Sequence, residues 1–233
     1  MEEVQKYEYL YLACSIITGI VVLVLIGIAG AKQEKIPGRY QGFFELLIDG
    51  LRGLFRGALG PGGDRHLPLI FTLFFFILIG NFLEFIPGMK SPTSATNVTI
   101  ALGIIVFVYA QYVGITSNGF LGYLKHFAGP ILVMAPLFFV IEIVSEISKP
   151  FSLGMRLFGN IFGEDQIYQQ ISLVQGKNWI LHVLPLQVPW MLFQAFTDTV
   201  QAFIFALLAC SYIGLMSGHH EEDDDAHQQA HAH

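Results

Sequence analysis

The sequence predicts an all-α polytopic membrane protein. Of its 233 residues 54% are hydrophobic and only 13% charged, where a soluble domain carries about 25% charged residues. Several uncharged runs approach the roughly 20 residues that an apolar helix needs to cross a hydrocarbon core, and the mean hydropathy is +0.58. The formal charge of −6 misleads, because Glu221, Glu222, Asp223, Asp224 and Asp225 account for five of those net charges. The body is close to neutral, which excludes both a typical soluble enzyme and a nucleic-acid-binding surface. Cys14 and Cys210 lie in apolar runs without a metal-type partner at short spacing, and read as packing residues.

The first expected span covers about residues 9–31 and is followed at once by Lys32 and Lys35, as at a positive-side interface. A cleaved signal peptide is the weaker reading, since Met1-Glu2-Glu3 is acidic and the apolar run is too long for a signal core. Six of the twelve basic residues, Lys32, Lys35, Arg39, Arg52, Arg56 and Arg65, lie in the stretch from Lys32 to His66. Among them Phe43, Phe44, Leu47, Leu51, Leu54 and Phe55 recur at helical spacing, which predicts a cytoplasmic amphipathic surface helix at about 41–59. Positive charge stays inside, so the N-terminus is expected outside and, five crossings later, the C-terminus in the cytoplasm. The second span covers about 67–86. Pro87-Gly88 and Ser91-Pro92 then mark a short external turn that bears Lys90. The third span, about 97–117, returns inward to Ser117-Asn118-Gly119 and a small internal loop with Lys125 and His126.

From Ile131 to Val174 the hydropathy stays high, but Glu142, Glu146, Lys149, Arg156, Glu164 and Asp165 interrupt it. A charge at mid-bilayer costs from about 2.5 kcal/mol upward, so an ordinary lipid-exposed span is excluded there. The next apolar stretch, Val183 to Met216, holds one charge, Asp198. As helices the two would measure about 66 and 51 Å, too long for upright crossings. They read as a long, steeply inclined helical hairpin at about 131–175 and 183–216, turning externally near 176–181. Pro136, Pro150, Gly154, Gly159 and Gly163 offer kink sites in its first arm. Residues 1–218 thus read as a single membrane-embedded domain of upright spanning helices, a surface helix and this hairpin. The tail 219–233, with five acids and His219, His220, His227, His231 and His233, reads as disordered and solvated rather than metal-binding.

Glu142, Glu146 and Lys149 are spaced i, i+4, i+7, and Arg156 follows seven residues on, so all four fall on one helical face that Asn160 extends. One reading is a set of structural ion pairs. The other starts from arginine, which never loses its charge and in lipid demands a permanent partner, a water-filled path or an ionisable group that visits. On the second arm Gln194, Asp198 and Gln201 form another i, i+4, i+7 stripe. Lone intramembrane glutamines commonly bond between helices, but an aspartate in the same stripe points to proton exchange. Asn81 and Glu84, at the external end of the second span, read equally as a helix cap or as the mouth of a channel.

The run Ser148-Lys149-Pro150-Phe151-Ser152-Leu153-Gly154-Met155-Arg156-Leu157-Phe158-Gly159-Asn160, with Gln201-Ala202-Phe203-Ile204-Phe205, closely resembles subunit a of the rotary ATP synthase membrane sector. Pro37-Gly38-Arg39-Tyr40-Gln41, Gly80-Asn81-Phe82-Leu83-Glu84 and Asn97-Val98-Thr99 resemble that family in the same order, so the likeness covers nearly the whole chain. The resemblance implies a proton-translocating, non-catalytic stator subunit that needs no cofactor or metal. Its implied partners are a ring of c subunits, against which the hairpin packs, b-type peripheral stalk subunits and membrane lipid. Arg156 is then the stator arginine, Asn160 its neighbour and Gln201 the residue opposite it. Glu142 matches the carboxylate near the inner half-channel, and Asp165, preceded by Glu164, matches the acid on the outer one. Some relatives have His where this chain has Gln194, and Asp198 is the candidate relay beside Asp165. Without a transit peptide, the expected location is a bacterial plasma membrane.

Two other classes compete. A membrane-embedded hydrolase would use Asp198 with Glu164 or Asp165, but no aspartyl, zinc or nucleophile-elbow motif is present. A self-contained secondary transporter would have paired inverted halves, and the sequence has no such symmetry.

Overall fold

The computed structural model describes residues 2–31, 39–60, 62–86, 88–128, 135–177 and 187–217. Within these, the side chains of 2–8, 28–31, 39–44, 47, 118, 120–128, 135–138, 142 and 174–177 are left aside. Among the described residues every regular element is helical: α1 (Glu2–Ala31), α2 (Arg39–Leu59), α3 (Leu67–Phe82), α4 (Thr96–Ala128), α5 (Ala135–Lys177) and α6 (Gln187–Ser217), with short 3-10 turns at Gly63–His66, Leu83–Phe85 and Pro92–Ser94. Stretches long and apolar enough to cross a membrane are Tyr9–Gly27, Gly63–Phe85, Thr96–Ser117 and Gln187–Ser217. The protein is therefore an all-α polytopic membrane protein. Its described residues divide into two compact units, one drawn from Met1–Ile36, Phe71–Thr99 and Gly154–Phe205, the other from Pro37–Ile70, Ile100–Leu153 and Ala206–His233.

In the first unit α1 turns one narrow seam inward. Cys14, Thr18 and Val22, spaced four residues apart, are buried, while Leu12, Ile16, Ile20, Leu23 and Val24 are exposed. That is the pattern of a helix whose remaining faces meet lipid. Gly80 of α3 makes room for this seam, since a Cβ there would lie 3.6 Å from Thr18 Cγ2 and 3.5 Å from the Pro92 ring. The inward stripe of α3 runs Leu73, Phe74, Ile77, Asn81. That of α5 runs Leu157, Ile161, Glu164, and that of α6 Gln194, Asp198, Gln201, Phe205. All three follow three- and four-residue steps, so a helical period carries apolar side chains and then polar ones to the same inner face.

In the second unit Phe55 and Leu59 of α2 are buried, whereas Leu54, counted above on the apolar face, is 55% exposed because it sits 100° around the helix from Phe55. The end of α2 lies against α6 so closely that a Cβ on Gly214 would stand 2.7 Å from the Ala58 carbonyl oxygen. Gly60 and Gly62 take positive φ and turn the chain after α2. An exposed ion pair between Arg56 and Asp64 straddles that turn. Leu102, Val106, Ala110 and Val113 of α4 and Ala206, Ala209, Cys210, Ile213 and Met216 of α6 supply the remaining core.

Three details differ from the expected elements. α1 begins at Glu2, well before the apolar run, because nothing in the charged leader breaks a helix. Gly119 (φ 69°, ψ 163°) interrupts α4, but the backbone resumes as helix to Ala128 where a loop was expected. α5 continues through Pro150, although proline removes one backbone donor and its ring crowds the carbonyl four residues back, at Glu146. The hairpin turn beyond Lys177 and the tail 219–233 lie outside the described residues.

Candidate functional site

The register of α5 separates its charges. Since Leu153, Leu157, Ile161 and Glu164 turn inward, Arg156 falls on the exposed face beside Ser152, Met155 and Gly159. Arg156 makes no hydrogen bond or ion pair among the described residues. Its helical neighbours leave space around it, for a Cβ on Gly159 or Gly163 would meet nothing within 4 Å. The surrounding exposed residues, Phe151, Met155 and Phe162, are apolar. A permanent cation thus stands on an exposed face with no partner among the described residues.

The inward polar residues of the same unit collect into one cluster. Lys90 Nζ lies 3.4 Å from Asp165 Oδ1 and 3.8 Å from Glu84 Oε1. Burial opposes the charge on Lys90, but Asp165 and Glu84 outweigh it, so its pKa stands above the ordinary lysine value. Behind this trio Asp198, 2% exposed, lies within interaction range of Glu164 and Asn81. Asn160 Nδ2 donates to Glu164 Oε1 at 3.1 Å. Asn81 Oδ1 accepts from Thr93, and from Ser91 Oγ at 3.4 Å, and the two hydroxyls pair at 2.6 Å. Among the described residues the buried atoms without a hydrogen-bond partner are Asn81 Nδ2, Glu164 Oε2 and Asp198 Oδ2 in this cluster, Gln201 Nε2 one turn further along α6, and Trp190 Nε1. A buried polar atom without a partner costs about 1–3 kcal/mol, so such atoms are seldom left by packing alone.

The second unit holds a separate polar group. Glu146, 4% exposed, accepts from Lys149 and, at 2.7 Å, from Gln111 Nε2. Glu146 and Lys149 border a narrow cavity together with Val106, Tyr212 and Met216. At the start of α3, His66 Nε2 accepts from Arg65 Nε at 3.0 Å, which leaves its Nδ1–H to donate to Tyr109 Oη at 2.9 Å. No cluster of His, Cys, Asp and Glu suited to a metal occurs among the described residues.

Of the residues singled out from sequence, Asn81, Glu84, Glu164, Asp165, Asp198 and Asn160 come together, and Gln194 and Gln201 are buried along the α6 stripe. Arg156 stands apart from them on the outer face. The Glu142 side chain lies outside the described residues. The four-charge face splits, with Glu146 and Lys149 paired and Arg156 alone. Sequence reasoning missed Lys90 as a site residue, and with it Ser91, Thr93 and Gln111. The available signal for Lys90 was charge: it is the one basic residue in the turn that follows Glu84.

A family model described as ATP synthase A chain matches residues 12–214. The chain is 38% identical to ATP synthase subunit a of Protochlamydia amoebophila over 92% of its own length and 83% of that protein's. It is 40% identical to ATP synthase subunit a of Trichlorobacter lovleyi, covering 83% and 81%, and 34% identical to that of Nitratiruptor sp., covering 94% of each. With the match covering residues 12–214, the arginine motif among them, the chain belongs to the ATP synthase A chain family.

Proposed function

We propose that this chain is the proton-translocating stator subunit of an ATP synthase, and that Arg156 separates two half-channels that deliver protons to and from a ring of c subunits. The observation that supports this most is that Arg156, a permanent cation, stands on an exposed face beside small residues with no partner among the described residues. Of the three ways to keep an arginine charged in lipid, a group that visits fits that position. A rotor carboxylate is that group. It stays neutral while facing lipid, because burying its charge is prohibitive, and it ionises only opposite Arg156 or in an aqueous half-channel.

In this reading Asn81, Glu84, Asp165, Glu164, Asp198, Asn160 and Gln194 form the outer half-channel, and Glu142 belongs to the inner one. By the family resemblance Gln201 is the residue opposite Arg156 on α6, and in this structure its side chain is buried on the inner stripe. Protons bound outside reach the rotor through the first group and leave through the second. If the half-channels are offset around the ring, no proton crosses without riding it, and the gradient becomes torque. α5 and α6 form the inclined arms against the c-ring, and b-type stalk subunits hold the assembly still. The charge pattern supports a bacterial plasma membrane location with an external N-terminus and a cytoplasmic C-terminus. The subunit performs no bond chemistry of its own.

The test is Arg156→Ala in the whole complex, reconstituted in vesicles with an imposed proton gradient. Assembly with loss of both ATP synthesis and ATP-driven pumping is expected. Coupled synthesis surviving in the variant refutes the assignment.

A further inference from the structure

Lys90 reaches from the turn after α3 into a position between two carboxylates that belong to different helices, 84 at the end of the α3 segment and 165 on α5. The ammonium side chain is 34% exposed and each carboxylate 16%, so an ion approaching from the open side meets the ammonium first. Two carboxylates converging on one point attract a cation by their charge, and here the lysine nitrogen occupies that point.

We infer that Lys90 is a tethered counter-cation which makes the outer carboxylate pair selective for protons: it fills the place where a sodium ion would bind, while a proton still passes to the outward carboxyl oxygens. This rests on the outer half-channel reading above. A proton needs no coordination shell and moves along hydrogen bonds from water to a carboxylate, so a fixed ammonium does not exclude it. A hydrated metal ion needs several oxygens at once and meets a like charge already in place. The groups that face Lys90 are Glu84 from the end of α3, Asp165 from α5 and Tyr11 from α1, with Asp198 and Glu164 behind the pair. Lys90 is the cation among these, and its charge is held by the two acids it touches. It acts through them and is a positioning residue.

The experiment uses the complete ATP synthase in liposomes, with ATP synthesis measured over a range of external pH in sodium chloride and in choline chloride. Removing a positive charge within about 4 Å of a carboxylate favours the protonated form, so Lys90→Gln is expected to move the external-pH profile upward by about one unit or more. It is also expected to make synthesis several-fold slower in sodium than in choline. Lys90→Arg, which keeps a charge that does not titrate, should follow the wild type in both respects. A third variant, Lys90→Cys, is read before and after aminoethylation of the assembled complex, which restores an amine on the exposed thiol while Cys14 and Cys210 stay buried. Recovery of the wild-type profile on aminoethylation supports the inference. A wild-type profile with no sodium sensitivity in Lys90→Gln overturns it, and so does assembly of Lys90→Arg when neither neutral variant assembles, because the charge is then a folding requirement. Arg156→Ala in the same preparation separates the two readings: if it abolishes synthesis while Lys90→Gln behaves as wild type, only the role of Lys90 falls.

Discussion

Lys149→Met should destabilise the second unit strongly, and a second substitution should reverse the effect. Glu146 is 4% exposed and has two partners, the Lys149 ammonium and the Gln111 amide. With the ammonium gone, a buried carboxylate keeps one neutral hydrogen bond, and the loss of one member of a buried pair costs about 3–5 kcal/mol. The Lys149 side chain is 26% exposed, which places the cost at the low end, roughly 3 kcal/mol. Adding Glu146→Gln removes the orphaned charge and still leaves Gln111 a partner, so the double variant should return to within about 1 kcal/mol of wild type. Limited proteolysis of the purified complex reads this directly, because cleavage follows the population of the opened state. A tenfold change in population corresponds to about 1.4 kcal/mol, so the single variant should be cut about 100-fold faster and the double variant no more than about fivefold faster than wild type. A single variant cut at the wild-type rate, or a double variant cut faster than the single, would show that the pair is not a buried electrostatic unit.

The other expectations are briefer. Asp198→Asn and Asp165→Asn should each slow ATP-driven pumping without preventing assembly, since an amide keeps the polar volume but carries no proton; wild-type pumping over a range of external pH in both variants leaves hydrogen bonding as the better account of these residues. Gly214→Ala drives a Cβ to 2.7 Å from a backbone oxygen of α2, so it should cost about 1–3 kcal/mol in thermal unfolding of the complex. A Cβ on Gly159 would meet nothing within 4 Å among the described residues, so Gly159→Leu should leave the fold intact while blocking rotation; unchanged synthesis by this variant would place the rotor on another face. A Cys introduced near Glu2, in a background without Cys14 and Cys210, should react from the external side, and labelling from the cytoplasmic side alone reverses the topology.

The helices were legible in the sequence because lipid imposes a simple rule, that uncharged runs of the right length become helices. The inward faces were legible because Gln194, Asp198 and Gln201 keep a helical period. Arg156 stood out as a charge that cannot be neutralised. What escaped was pairing at a distance. Lys90 meets Asp165 across 75 positions and Gln111 meets Glu146 across 35, and no local pattern encodes such meetings, since each residue alone looks like an ordinary polar side chain. The same limit hid the split of the α5 charges. Spacing put Glu146, Lys149 and Arg156 on one face, but a lysine stem is long enough to bend back to a partner three residues away, and Arg156 has no partner among the described residues. The length of α1 and the resumption of helix after Gly119 escaped for another reason: hydropathy locates where a helix is apolar, not where its hydrogen bonding stops.

The narrow inward seam of α1 makes the bilayer itself part of the outer site. Cys14, Thr18 and Val22 are its only buried apolar or hydroxyl anchors among the described side chains, so lateral pressure from lipid does much of what side-chain packing does elsewhere. The seam rests on Gly80, which also adjoins Pro92, and the turn at Pro92 carries Ser91 and Thr93 to the Asn81 amide. Extraction into a short-chain detergent should therefore relax α1 before any other helix, and the relaxation should travel two residues further to Asn81. Preparations that lose proton transport on extraction and regain it on return to lipid, with every subunit still present, would owe that behaviour to this one helix.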